Sequence, residues 1–180
     1  MPTLRFLGFS GSLRARSTNS ALLVACARLA PPDVRLELYT QAHALPHFNP
    51  DLDTDSPPEA VSALRAQVAA ADALLIACPE YARGVPGSFK NLLDWLVGSV
   101  DIVGKPVALL NGSARAGHAQ RSLAVTLATI SALPIREEPY LVPVLGREVS
   151  AEEIVADAAL AAVLRQVLGD LAAAVAARVT

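Results

Sequence analysis

The chemistry-bearing residues gather in three short stretches. Residues 8 to 23 read GFSGSLRARSTNSALL, with hydroxyls at Ser10, Ser12, Ser17 and Thr18, an amide at Asn19 and guanidinium groups at Arg14 and Arg16. Hydroxyl donors beside arginines suit a tetrahedral oxyanion, since each charge-assisted hydrogen bond contributes about 1.5–3 kcal/mol. Four such bonds reach about 8 kcal/mol, close to micromolar affinity before the costs of binding. A terminal phosphate is the expected guest. The same residues also fit a capped helix start with a solvated arginine, and this loop alone leaves both readings open.

The second stretch, PEYARGVPGSFKNLLDW (79–95), sets Glu80, Tyr81 and Arg83 in a backbone loosened by Gly84 and Gly87 and stiffened by Pro79 and Pro86. Such a loop lays peptide N–H and C=O groups along the edge of a flat heterocycle. Phe89 and Trp95 read as core residues, and Lys90, Asn91 and Asp94 as local caps or pairs. The third stretch, GSARAGHA (112–119), offers Ser113, Arg115 and His118.

Several familiar chemistries fail on spacing. Gly8 and Gly11 do not make the G-x-G-x-x-G of a dinucleotide site, and no Gly-Lys-Ser/Thr ending marks a nucleotide phosphate loop. Ser10 stands where a phosphoacceptor carboxylate would be needed. Cys78 and Arg83 make C-x4-R, one short of the C-x5-R phosphatase loop, so Cys78 reads as a buried thiol. His43 and His47 are separated by Pro46, which prevents one helix from presenting both to a metal. His118 reads as a helix-start residue.

The elements that must position these stretches alternate. Strands are expected at 3–10, 34–40, 73–79, 105–113 and, more weakly, 139–144. Helices are expected at 17–30 with Ser17 as N-cap, at 56–71 with a Ser56–Glu59 capping box, at 87–99, at 118–132, and as one long helix over 150–179 with a Ser150–Glu153 box. Strict alternation means an α/β fold with a parallel sheet. Right-handed crossovers then give a doubly wound, five-stranded sheet of order 2-1-3-4-5, with ligands at the carboxyl ends of strands 1, 3 and 4. No repeat or linker interrupts the 180 residues, so one domain over 1–180 is expected.

Composition narrows the class further. The net charge of −2 argues against a nucleic-acid partner. Apolar residues make up 53% of the chain, which fits a thick core, a subunit interface, or both. The uninterrupted apolar runs stop short of the ~18 residues of a membrane span. Two cysteines without C-x-x-C spacing and no signal-peptide layout fit a reducing cytoplasm.

In combination, GSLRARSTN and PEYARGVPGSFKNLLDW resemble the NAD(P)H-dependent FMN reductase family of the flavodoxin-like superfamily, which includes flavin, quinone, azo-dye and chromate reductases. ALPHFNPDLD (44–53) is similar to another family loop, and the likeness extends over about residues 3–175. The resemblance implies that Ser12, Arg14, Ser17, Thr18 and Asn19 hold an FMN phosphate. It implies that Pro79, Glu80, Tyr81, Ala82 and Arg83 line the isoalloxazine, largely through main chain, with Ser113 on the third loop. Ala82 and Arg83 stand where many members have Asn, His or Gly, and Arg83 either steers an anionic partner or faces water. Arg115, His118 and Ala119 replace glycine-like positions of the third loop, and Arg115 is a candidate for the phosphates of the nicotinamide cofactor. The implied activity is transfer of two electrons from NADH or NADPH through FMN to a small acceptor: a flavin, quinone, azo dye or metal oxyanion. No metal and no protein catalytic group are called for, because the flavin carries the chemistry. A homodimer or homotetramer is the family expectation. The alternatives are a non-enzymatic flavin-binding electron-transfer module, usually strongly acidic, and a phosphate-binding hydrolase, for which no nucleophile is in place.

Overall fold

Leu4–Ser10 and Ala73–Ala77 are apolar on both faces, so each has to be covered twice, and in the computed structural model both are central strands. The structure describes residues 3–113, 117–144 and 149–178. Along the chain run β1 (Leu4–Ser10), α1 (Thr18–Leu29), β2 (Val34–Tyr39), α2 (Glu59–Ala70), β3 (Ala73–Ala77), α3 (Gly87–Trp95), β4 (Pro106–Asn111), α4 (Gly117–Thr129), β5 (Leu133–Pro134), β6 (Tyr140–Leu141), α5 (Ala151–Ala156) and α6 (Ala158–Ala176). Short 3-10 turns lie at Ala42–Ala44, Pro50–Leu52 and Val100–Ile102. The sheet order is β2-β1-β3-β4-β5 with every pairing parallel, as the alternating pattern predicts.

Side chains alternate across the strands into two cores. Phe6, Leu75, Ala77, Ala108 and Leu110 pack with α1, α5 and α6. Leu7, Phe9, Leu74, Ile76, Val107 and Leu109 pack with α2, α3 and α4. The sheet is therefore doubly wound, and the carboxyl ends of β1, β3 and β4 open toward one rim. Phe89 and Trp95 are both core residues of the second layer.

Three local expectations need correction. The fifth sheet position is not one strand over 139–144. It is two short pieces, β5 and β6, which both pair with β4 at different heights. Pro134, Pro139 and Pro143 withhold ladder donors, so a continuous strand has no hydrogen bonds to build on. The helix expected from Ser56 starts later, because Pro58 disfavours helical geometry at Pro57, and Pro58 itself takes the N-cap position without a side-chain bond. The long C-terminal helix breaks at Asp157, whose extended backbone lets its carboxylate accept from Ala159 N (3.0 Å) and Leu160 N (3.1 Å) and start α6 afresh. The Ser150–Glu153 capping box forms as expected.

Among the described residues α6 alone is long and apolar enough to cross a membrane, with mean hydropathy 1.6 over its apolar window. Its Leu164, Val167, Leu168 and Leu171 are buried on the sheet, so its apolar stripe is spent on the core.

Two polar ties hold α2 and α3 in place. The buried Lys105 ammonium donates to the carbonyls of Val68 (2.7 Å) and Ala71, closing the carboxyl end of α2. Burial pulls its pKa below the usual 10.5, with Asp101 opposing the shift. Asn91 was expected to pair locally, but it reaches across to residues 46–48. Its amide donates to the Pro46 carbonyl (2.9 Å) and accepts from Phe48 N (2.7 Å). Trp95 Nε1 donates to the same Pro46 carbonyl (2.8 Å), and Phe48 lies edge-on to the indole at 5.0 Å. Lys90 and Asp94 do pair along the helix.

Candidate functional site

The turn after β1 begins with a glycine that has no alternative. Gly11 donates to Ala77 O (2.9 Å), and a Cβ there would stand 2.9 Å from Cys78 Sγ and 3.1 Å from Cys78 Cα. The close approach brings the β1 and β3 turns side by side. Ser12 follows and is buried, and its Oγ accepts from Arg14 N (3.3 Å). Ser20 Oγ donates to Ser10 Oγ (2.9 Å), which also accepts from Ser12 N (3.3 Å), so Ser10 braces the turn from within. Ser17 caps α1 as expected, its Oγ accepting from Ser20 N (3.4 Å). Thr18 and Asn19 open the helix, whose first N–H groups point into the turn. Arg14 and Arg16 are exposed. The arrangement of hydroxyls, helix N-terminus and two guanidinium groups suits a phosphate monoester.

The turn after β3 is built differently. Tyr81 N donates to Gly84 O (3.1 Å) and Gly84 N to Tyr81 O (2.9 Å), closing a two-residue reversal. Ala82 and Arg83, its central residues, have φ of +49° and +60°. This is the backbone of a type I′ turn, in which Asn and Gly are the usual occupants. Two side-chain-bearing residues in this region store roughly 1–3 kcal/mol of strain each. The Tyr81 hydroxyl shares a 3.4 Å hydrogen bond with Ser12 Oγ, joining the two turns, while the Tyr81 side chain stays 54% exposed.

Glu80 was expected to work through its main chain. Its carboxylate instead accepts from His118 N (2.8 Å) and Ala119 N (2.9 Å) at the start of α4. A negative charge at a helix N-terminus is favourable by about 0.3–1 kcal/mol, and more where partly buried. His118 is thus a helix-start residue, as read from the sequence. One turn on, the buried Gln120 donates Nε2–H to Cys78 O (3.1 Å), while its Oε1 has no partner among the described residues. On the third loop, Ser113 N donates to the Asn111 Oδ1 at the end of β4 (3.0 Å). Arg115 lies outside the described residues.

The sequence-predicted residues therefore converge. Ser12, Arg14, Ser17, Thr18 and Asn19 lie on and just after the β1 turn, and Pro79, Glu80, Tyr81, Ala82 and Arg83 on the β3 turn, the two joined by the Ser12–Tyr81 bond. Ser113 follows at the end of β4. Sequence reasoning missed Gly11, Asn111 and Gln120. For Gly11 a signal existed in its place at the end of a strand beside a turn, but the crowding by Cys78 is a tertiary fact. Burial pushes the Cys78 and Cys26 thiols up to about 12, so neither is poised as a nucleophile. No cluster of potential metal ligands occurs among the described residues.

Comparison with known proteins identifies the family. The profile of the NADPH-dependent FMN reductase family matches residues 4–143. An NAD(P)H-dependent FMN reductase of Pseudomonas aeruginosa is 38% identical over 144 residues, 77% of either chain. A 2-hydroxy-1,4-benzoquinone reductase of Burkholderia is 42% identical over 106 residues, 57% of either chain. Among solved structures, the flavoenzyme NAD(P)H:(acceptor) oxidoreductase FerB of Paracoccus denitrificans superposes with a TM-score of 0.73 at 30% identity, covering 97% of this chain and 96% of its own. The donor set fits FMN on chemical grounds, with charged and hydroxyl donors on one turn and an exposed, ring-bearing turn beside it. The chain belongs to the NADPH-dependent FMN reductase family and is a flavodoxin-like oxidoreductase that uses FMN and NAD(P)H.

Proposed function

We propose that the protein reduces small quinones at the expense of NADH or NADPH, acting as one FMN-binding domain. The observation that carries this reading is the junction of the two turns through the Ser12–Tyr81 hydrogen bond. It joins the hydroxyl-lined turn after β1 to the turn that bears the exposed Tyr81, which supports an anion cradle and a ring platform side by side. Ser12, Arg14, Ser17, Thr18 and Asn19 hold the FMN phosphate. Pro79, Glu80, Tyr81, Ala82 and Arg83 line its ring system, and Ser113 closes the far side.

The chemistry supplied by bound FMN is two-electron transfer, so that NAD(P)H, a proton and a quinone give NAD(P)+ and a hydroquinone. The protein's part is placement. Glu80 acts as a strut to α4 rather than as a proton donor, since its carboxylate already holds two backbone N–H groups. Tyr81 and Leu13, each 54% exposed, offer apolar surface for a flat acceptor. The names of the relatives support a quinone acceptor, one of them a hydroxybenzoquinone. We further propose a cytoplasmic homo-oligomer, with Val97, Val100 and Val103 as exposed apolar side chains available for a subunit contact.

The test is the absorbance spectrum of the purified protein before and after anaerobic NADPH, followed by a panel of benzoquinone, free flavin, an azo dye and chromate. A yellow protein that bleaches with NADPH and is reoxidised fastest by quinone is expected. A folded protein that is colourless and takes up no FMN overturns the reading, and sedimentation as a monomer overturns the oligomer.

A further inference from the structure

We propose that Arg83 selects acceptors that carry a negative charge on the quinone ring, such as ionised hydroxyquinones. The inference rests on the quinone-reductase reading above and adds to it the charge class of the substrate.

Arg83 is exposed and sits at φ +60° in the tip of the Tyr81–Gly84 reversal. An L-residue adopts this backbone only at a cost, and glycine would avoid it. No hydrogen bond or ion pair engages the Arg83 guanidinium among the described residues. By contrast Arg28, Arg35 and Arg65 each meet a carboxylate: Glu152, Glu37 and Asp53. A strained backbone position has thus been given to a long cation that does nothing for the fold around it.

The backbone that carries it is nevertheless fixed. The reversal is closed by reciprocal backbone bonds, tied to the first turn through Tyr81 and Ser12, and backed by Glu80 on α4. The nearest carboxylate in sequence, Glu80, accepts from the α4 N–H groups and makes no ion pair with Arg83. An unpaired guanidinium carried on this fixed reversal, two residues from an exposed tyrosine, suits a planar anion, which it can meet with two parallel N–H donors. A neutral quinone gains nothing from that charge.

The test uses FMN-loaded protein in its oxidised form, titrated with 2-hydroxy-1,4-naphthoquinone, which is ionised at neutral pH, and with neutral 1,4-naphthoquinone. The flavin absorbance change gives both dissociation constants, and steady-state rates give kcat/KM for the same pair. Arg83→Gln is expected to weaken the anion relative to the neutral quinone by about fivefold, the scale of one exposed ion pair. Arg83→Lys should restore part of the preference, and rising ionic strength should erode it in the unaltered protein but not in Arg83→Gln. Arg83→Gly, which relieves the backbone, supplies a variant whose folding is secure and must show the same loss. An unchanged ratio overturns the proposal, as does an equal loss for both quinones. A change confined to the NADPH-to-NADH preference also overturns it, since Arg83 would then read the cofactor's extra phosphate. A protein that takes up no FMN strikes the underlying reading instead, which the spectrum shows before any quinone is added.

Discussion

The turns after β1 and β3 face each other across one rim yet are built on opposite plans. The first is braced largely by local side-chain bonds: those among Ser10, Ser12, Arg14, Ser17 and Ser20 span ten residues or fewer, while Gly11 and Ser12 reach across to β3 and its turn. Its order follows from a helix cap and a chain of hydroxyls. The second depends on distant partners: Ser12 69 residues away, and His118 and Ala119 38 and 39 away. It also holds two residues in left-handed backbone. A locally satisfied turn tolerates change elsewhere and keeps its ligand geometry. A turn propped from a distance carries strain, and its shape varies with whatever α4 and the first turn do.

That contrast can be broken most severely where the turns touch. Gly11→Ala drives a Cβ to 2.9 Å from Cys78 Sγ, and we expect a loss of about 1–3 kcal/mol in stability together with weakened FMN uptake, read by thermal denaturation and by flavin titration. Arg14→Ala, at an exposed position of the first turn, should weaken FMN by about tenfold or more if Arg14 holds the phosphate as proposed, and should move the melting temperature little, since exposed substitutions outside the core seldom cost more than about 0.5 kcal/mol. If its melting temperature falls as far as its affinity, the first turn is not the self-sufficient unit described. Glu80→Ala should do the reverse in kind, costing about 1–2 kcal/mol of stability through the bare α4 terminus, with Glu80→Gln recovering part of it. Ala82→Asn should stabilise the protein by up to about 1 kcal/mol, since asparagine accepts the left-handed backbone more readily.

The two buried thiols offer a further comparison. Cys26 lies in α1 and Cys78 directly follows β3, and burial raises both from 9.0 to about 12. The folded protein thus keeps protons that the unfolded chain releases above pH 9. Stability is unaffected below about pH 9 and falls as pH rises toward 12, by at most about 1.4 kcal/mol per pH unit for each thiol. Replacing either cysteine by alanine should flatten the alkaline limb of a denaturation series. If the second turn is the looser one, alkylation reaches Cys78 before Cys26.

What was legible in the sequence divides along the same line. The Ser17 cap and the Ser150–Glu153 box rest on residues within a few positions of each other and formed as read, and the strand order followed from the strict alternation of strands and helices along the chain. The Asp157 break was hidden because the apolar helical pattern runs on through it, and the carboxylate's preference for capping shows only in the local backbone. The fifth position was misread because Tyr140–Leu141 looked like a strand centre, whereas the neighbouring prolines leave β4 to pair two fragments. The strut from Glu80 to α4 and the reach of Asn91 to Pro46 have no local signature, since both join residues some forty positions apart. The convergence of the site residues followed from topology, while the bonds that fix them there did not.

The Pro46 carbonyl, gripped by both Asn91 and Trp95, gives the molecule a built-in reporter. Trp95 is the chain's single tryptophan, so intrinsic fluorescence comes from one clasp between α3 and the segment around Pro46. A red shift that precedes loss of helical circular dichroism during urea unfolding would mark that segment as a cooperative unit of its own, released while the sheet still stands. Coincident transitions would mean that the clasp and the sheet share one fate.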